Sequence, residues 1–120
     1  MHFQNPPFAQ GKLVSAIHGT ILDVAVDIRP ASPNFKKWIG IRLSSETCRM
    51  LWIPPGFAHG FATLTESASV FYKFTEYWHP EAEHALNWND PELAIKWPIK
   101  KIILLPRMKH SKCLKRLNMN

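Results

Sequence analysis

The chain has 120 residues, 46% apolar and 12% aromatic, with a formal net charge of +6. That length suits one domain with a core of its own, the composition speaks against disorder, and no apolar run approaches the roughly 20 residues of a membrane span. Residues 1–92 carry seven Lys/Arg against all nine Asp/Glu, and residues 93–120 carry the other eight basic residues and no acid. The basicity is therefore a tail property and not a stripe across the domain. A solvated basic end is its plainest reading; binding a polyanion through it is the weakest of three functional readings, although a phosphorylated ligand is compatible.

The start, "MHFQNPPFAQ", has neither the charged nor the apolar region of a signal peptide. Residues 12–28, "KLVSAIHGTILDVAVDI", are rich in β-branched residues and break at His18-Gly19, so they read as two strands around a tight turn. In the second strand Leu22, Val24, Val26 and Ile28 share one face, and Asp23, Ala25 and Asp27 share the other. Two carboxylates beside small residues predict that the latter face lines a wet cavity or meets solvent.

"RPASPNF" is a loop, "KWIGIRLS" a strand, and "CRMLWI" another strand, stopped by Pro54-Pro55-Gly56. "FAHGFATL" and "SASVFYKFTEYW" read as a strand pair joined around Thr65-Glu66, with Val70, Tyr72, Phe74 and Glu76 on one face. From His79 onward Pro, Asn and Asp interrupt short apolar pieces. No helix is predicted before residue 108, and "MKHSKCLKRLNM" is the one candidate for a short terminal helix. Short, closely spaced strands punctuated by Pro and Gly predict an all-β sandwich or barrel.

Six histidines are present, but none in an HxH, HExxH or His-x-x-Cys spacing. "PPGFAH" resembles the second half-motif of metal-binding cupins, whose first half is missing, so no metal site is expected. Cys48 and Cys113 match neither a metal spacing nor a disulfide framework, and a reducing cytoplasm is the expected compartment. No nucleophile elbow occurs. What is left for chemistry is His2, Lys12, His59 and Tyr72, on four segments that the mouth of a barrel can gather. Each also has an ordinary explanation: a loose end, a surface lysine, a hydrogen-bonded core histidine and a packed aromatic.

Four segments, "HFQNPPFAQGKLV", "GTILDVAVDIRPASPNFKKWIG", "LWIPPGFAHGF" and "FYKFTEYWHPEAEHALNWNDPELAIKWP", together resemble the dTDP-4-dehydrorhamnose 3,5-epimerase family over residues 2 to 104. The resemblance implies a cupin-like jelly roll, incomplete at its N-terminus, over residues 1–104, followed by a basic tail over 105–120. It implies a cytoplasmic homodimer without metal or cofactor, acting on a dTDP-linked 4-keto-6-deoxy sugar in dTDP-rhamnose and polysaccharide biosynthesis. No membrane and no specific nucleic acid are expected as partners.

By the same resemblance His2 is the base and Tyr72 the acid, while Lys12 and His59 contact the substrate where an oxyanion develops. Glu83 matches a ligand-binding glutamate, and Arg107 falls where the family has a lysine near the nucleotide. Three departures stand beside this. The family's N-terminal third has no counterpart, which predicts unpaired sheet edges and a poorly held base at position 2. Met108 falls where an aspartate orients the histidine, and Trp78 falls where a tyrosine lies near the sugar. Reduced turnover is thus one expectation, and a jelly-roll module that binds a nucleotide sugar or a full-length partner without catalysis is the alternative.

Overall fold

A computed structural model describes residues 1–98, 103 and 111–114. Eight strands account for its regular structure: β1 (His2–Gln4), β2 (Lys12–His18), β3 (Thr20–Asp27), β4 (Trp38–Ser44), β5 (Met50–Ile53), β6 (Phe57–Thr63), β7 (Ser69–Phe74) and β8 (Glu83–Ala85). They form two antiparallel sheets, ordered β4-β3-β6-β1-β8 and β5-β2-β7. No α-helix occurs among the described residues. Of the predicted terminal helix only 111–114 are described, and there Lys112 makes an isolated parallel bridge to Leu86.

The two strands of residues 12–28 form as expected, but they do not pair with each other. β2 lies between β5 and β7, and β3 lies between β4 and β6. The corner between sheets is Gly19, at φ 72°, where an added Cβ would stand 2.3 Å from the Ser67 carbonyl oxygen. The segments 57–64 and 67–78 likewise are not a strand pair. β6 joins the five-stranded sheet and β7 the three-stranded one. The two corners run side by side, tied by Thr20 N–H to Thr65 Oγ1 at 3.1 Å and Leu64 N–H to the Thr20 carbonyl at 2.9 Å. Strand patterning reports which residues share a face, whereas the partner depends on which sheet each face can cover.

Each face of β3 feeds a different core. Val24, Val26 and Ile28 pack with Met1, Phe3, Ala58, Leu86, Leu93 and Leu114 on the outer side of the large sheet. Ile21 and Ala25 pack with Val14, Ala16, Leu43 and Ile53 between the sheets. The expectation that the Asp23/Asp27 face is wet is therefore corrected: both carboxylates are buried. Asp27 accepts hydrogen bonds from Arg29 Nη2 (2.7 Å), Arg29 Nε (2.9 Å) and Ser32 Oγ (2.5 Å), which fasten the 29–37 loop onto the end of β3. Asp23 belongs to the site described below.

The expected looseness at position 2 is corrected as well. β1 is paired on both sides, His2 opposite His59 of β6 and opposite Ala85 of β8. Met1 and Phe3 are buried in the outer core, and burying two side chains of that size is worth on the order of 1.5–3 kcal/mol each. Apolar anchors on either side of His2 hold it, although nothing in the first four residues reads as a strand by composition.

Candidate active site

Register alone brings the site residues together before any side-chain contact is considered. On the large sheet His2 and His59 are direct cross-strand partners, and Ala25 opposes His59 from the other flank of β6, which puts Asp23 one diagonal step away. On the small sheet Val14 opposes Tyr72 and Lys12 opposes Phe74, so Lys12 and Tyr72 are diagonal neighbours. Directly opposed residues on one face have Cβ atoms about 5 Å apart, and diagonal ones lie within reach of long side chains. The two sheets face each other. The result is one open cleft of about 1280 Å³, lined among others by His2, Lys12, His59, Tyr72 and Glu83.

Five of the six residues singled out by sequence thus share one cavity. The sixth, Arg107, lies outside the described residues, as does Met108. Aromatic side chains rim the mouth: Phe61, Phe74, Tyr77 and Trp78 are all exposed. Phe74 stacks on Tyr72 with ring centroids 5.7 Å apart and an interplanar angle of 13°, and Tyr72 meets His59 edge-on at 5.9 Å.

Beneath the cleft lies a buried charge. Asp23 is fully buried, and its Oδ1 lies 2.5 Å from His59 Nε2. A carboxylate only accepts, so Nε2 carries the proton of that bond. Asp23 Oδ2 has no hydrogen-bond partner among the described residues. Such a half-satisfied buried carboxylate is costly for stability alone.

Lys12 is also buried, and burial lowers its ammonium pKa below the ordinary 10.5, opposed by the nearby charges of Glu83 and Asp23. Burial, with the Asp23 charge second, pushes the Tyr72 phenol above its ordinary 10.0. Tyr72 therefore stays protonated across the neutral range.

Asp23 is the site residue that sequence reasoning missed. Its signal was present, an acid inside a strand of β-branched residues, but alternation cannot tell a cavity floor from solvent. Gln10 and Glu76 also line the cleft. Gln10 Nε2 donates to the Glu76 carbonyl at 2.8 Å, which pins the segment after β7 to the start of β2. Among the described residues no group of three or more His, Cys, Asp or Glu side chains is placed to hold a metal ion, and no helix is long and apolar enough to cross a membrane.

The family model described as dTDP-4-dehydrorhamnose 3,5-epimerase matches residues 1–115. A relative of that name from Pseudomonas aeruginosa is 56% identical over 97 residues, covering 81% of this chain and 54% of its own length. One from Escherichia coli K12 is 50% identical over 108 residues, covering 89% of this chain and 58% of the relative. The chain thus spans about half the length of the curated relatives it matches.

Among solved structures, the Legionella pneumophila 3,5-epimerase in complex with dTDP-4-keto-L-rhamnose superposes with a TM-score of 0.93 at 47% identity, over 98% of this chain and 62% of that one. A 3'-monoepimerase from Streptomyces bikiniensis in complex with dTDP-quinovose gives 0.89 at 30% identity, over 95% and 58%. The two-sheet sandwich is accordingly the cupin-like jelly roll that the sequence resemblance implied. The chain belongs to the dTDP-4-dehydrorhamnose 3,5-epimerase family.

Proposed function

We propose that this site epimerises a dTDP-linked 4-keto-6-deoxy sugar at the carbons flanking the ketone. The observation that carries the reading is the placement of His2 and Tyr72 on facing sheets across one cleft. A sugar ring lying between the sheets presents one face to each. His2 removes the proton next to the ketone, and the electron pair moves onto the keto oxygen to give an enolate. Tyr72 returns a proton to the carbon from the other side, which inverts it. Nothing is oxidised or reduced.

Lys12 and His59, which line the same cleft, stabilise the oxyanion as it forms. Asp23 fixes the His59 ring and keeps a negative charge beside the Lys12 ammonium. Glu83 contacts the ligand from the β8 edge, and Arg107 serves the nucleotide end. The working molecule is a cytoplasmic homodimer whose product, still a 4-keto sugar, is an intermediate of dTDP-rhamnose and polysaccharide synthesis.

The test is deuterium incorporation, followed by NMR, with the purified protein, dTDP-4-keto-6-deoxyglucose and heavy water. Exchange at the carbons flanking the ketone is expected, abolished by His2→Ala and reduced about 10²- to 10⁴-fold by Tyr72→Phe. A folded protein that catalyses no exchange overturns this reading and leaves the non-catalytic sugar-binding module in its place.

A further inference from the structure

We propose that Glu83 is a positioning residue for His2, clamped for that task by the indole of Trp78. The proposal rests on the reading of His2 as the base. Register supplies the first half of the argument. Gln4 opposes Glu83 and His2 opposes Ala85 across β1 and β8, so Glu83 is the diagonal neighbour of His2. Glu83 Oε1 lies 3.4 Å from His2 Nδ1, and Oε2 accepts the Trp78 Nε1–H bond at 3.0 Å. One carboxylate oxygen thus stands in ion-pair range of the imidazole, short of a hydrogen bond, and the other accepts from a group that can only donate. Rotating Glu83 away from His2 breaks the indole bond.

Trp78 is itself held in place. Gln4, buried on β1, donates from Nε2 to the Tyr77 carbonyl at 3.1 Å and accepts at Oε1 from His79 N–H at 2.9 Å. The strand that carries His2 thus grips the backbone on both sides of Trp78. A carboxylate at Nδ1 selects the tautomer with the proton there and keeps the Nε2 lone pair for the substrate. Once Nε2 takes a proton, the ring is a cation facing that carboxylate. The 3.4 Å contact then closes toward the roughly 2.7–2.9 Å of a charge-assisted hydrogen bond. The stabilisation grows during proton abstraction, which distinguishes it from uniform binding.

Among the described residues, the other titratable groups around His2 are Lys12, His59 with Asp23 beneath it, Tyr72, Glu76, Tyr77 and the Met1 amino group. Glu83 is an acid in ion-pair contact with its imidazole.

The experiment follows the His2 Cε1–H resonance by NMR against pH without substrate, the signal being assigned by its loss in His2→Ala. Glu83→Gln is expected to lower the His2 titration midpoint by about one pH unit. The acid-side limb of the exchange profile should move with it, kcat should fall about tenfold and KM less than twofold, and Glu83→Asp should restore part of the loss. Trp78→Phe, which removes only the indole donor, should act in the same direction with smaller amplitude; it carries the test if Glu83→Gln does not fold. An unmoved His2 titration, with a rise in KM alone, overturns the proposal and leaves Glu83 with its ligand contact only. A shifted titration in a protein that never exchanges deuterium supports the positioning while failing the epimerase reading. Exchange with no titration shift does the reverse.

Discussion

Lys12, Asp23, His59 and Tyr72 make a group whose members are each expensive to bury, a cost that their mutual contacts offset in part. Lys12 answers the charges of Asp23 and Glu83, and His59 answers Asp23. Asp27, four residues after Asp23 on the same strand face, is buried for a different reason. Hydrogen bonds from Arg29, then one from Ser32, hold its carboxyl down at about 2 against an ordinary 3.8, with burial opposing them. The folded-state value is depressed, so the stabilisation is full above about 4 and is lost as pH falls through about 2. Because Arg29 is half exposed, screening limits the effect to roughly 1–2 kcal/mol. Urea unfolding between pH 5 and pH 2 should lose about that much in the wild type and markedly less in Asp27→Asn; parallel pH profiles would refute the assignment.

Among elements, the turn before β6 has most leverage on the site, because β6 carries His59 and pairs with both β3 and β1. Pro54 and Pro55 end β5, and Gly56 turns the chain at φ +88°. Its carbonyl accepts Ile28 N–H at 3.2 Å, and an added Cβ would stand 2.6 Å from Arg29 Cγ. Gly56→Ala therefore meets both a disfavoured backbone region and the arginine that holds Asp27. A loss of about 1–3 kcal/mol in unfolding free energy is expected by chemical denaturation, and an unchanged midpoint would show that the turn relaxes freely. The "PPG" signal was readable in sequence as a stop. The direction in which it aims β6 was not, since that depends on the β3 edge that receives the strand.

For the whole molecule, the outer face of the small sheet carries exposed apolar side chains. Ile17, Met50, Trp52 and Phe71 stand 48 to 64% exposed, drawn from all three of its strands. Contiguous apolar surface of this kind marks an interaction face, which supports the proposed homodimer. Sedimentation velocity should show a dimer for the wild type and a shift toward monomer in Phe71→Glu; a monomeric wild type would remove the proposal. The sequence by itself determined the all-β class, every strand from β2 to β7 within a few residues, and, through resemblance, five residues that share the cleft. Those properties are local: β-branched alternation, Pro and Gly stops, and long motifs read directly along the chain. Only the tertiary structure decided that β2 and β3, and likewise β6 and β7, part company into different sheets, that His2 is held by buried neighbours on either side, and that Asp23 belongs to the site. Each of these depends on which strand lies alongside which, and pairing is set by the joint burial of faces distant in sequence. A period of two residues fixes a side chain's face, but not what the face meets.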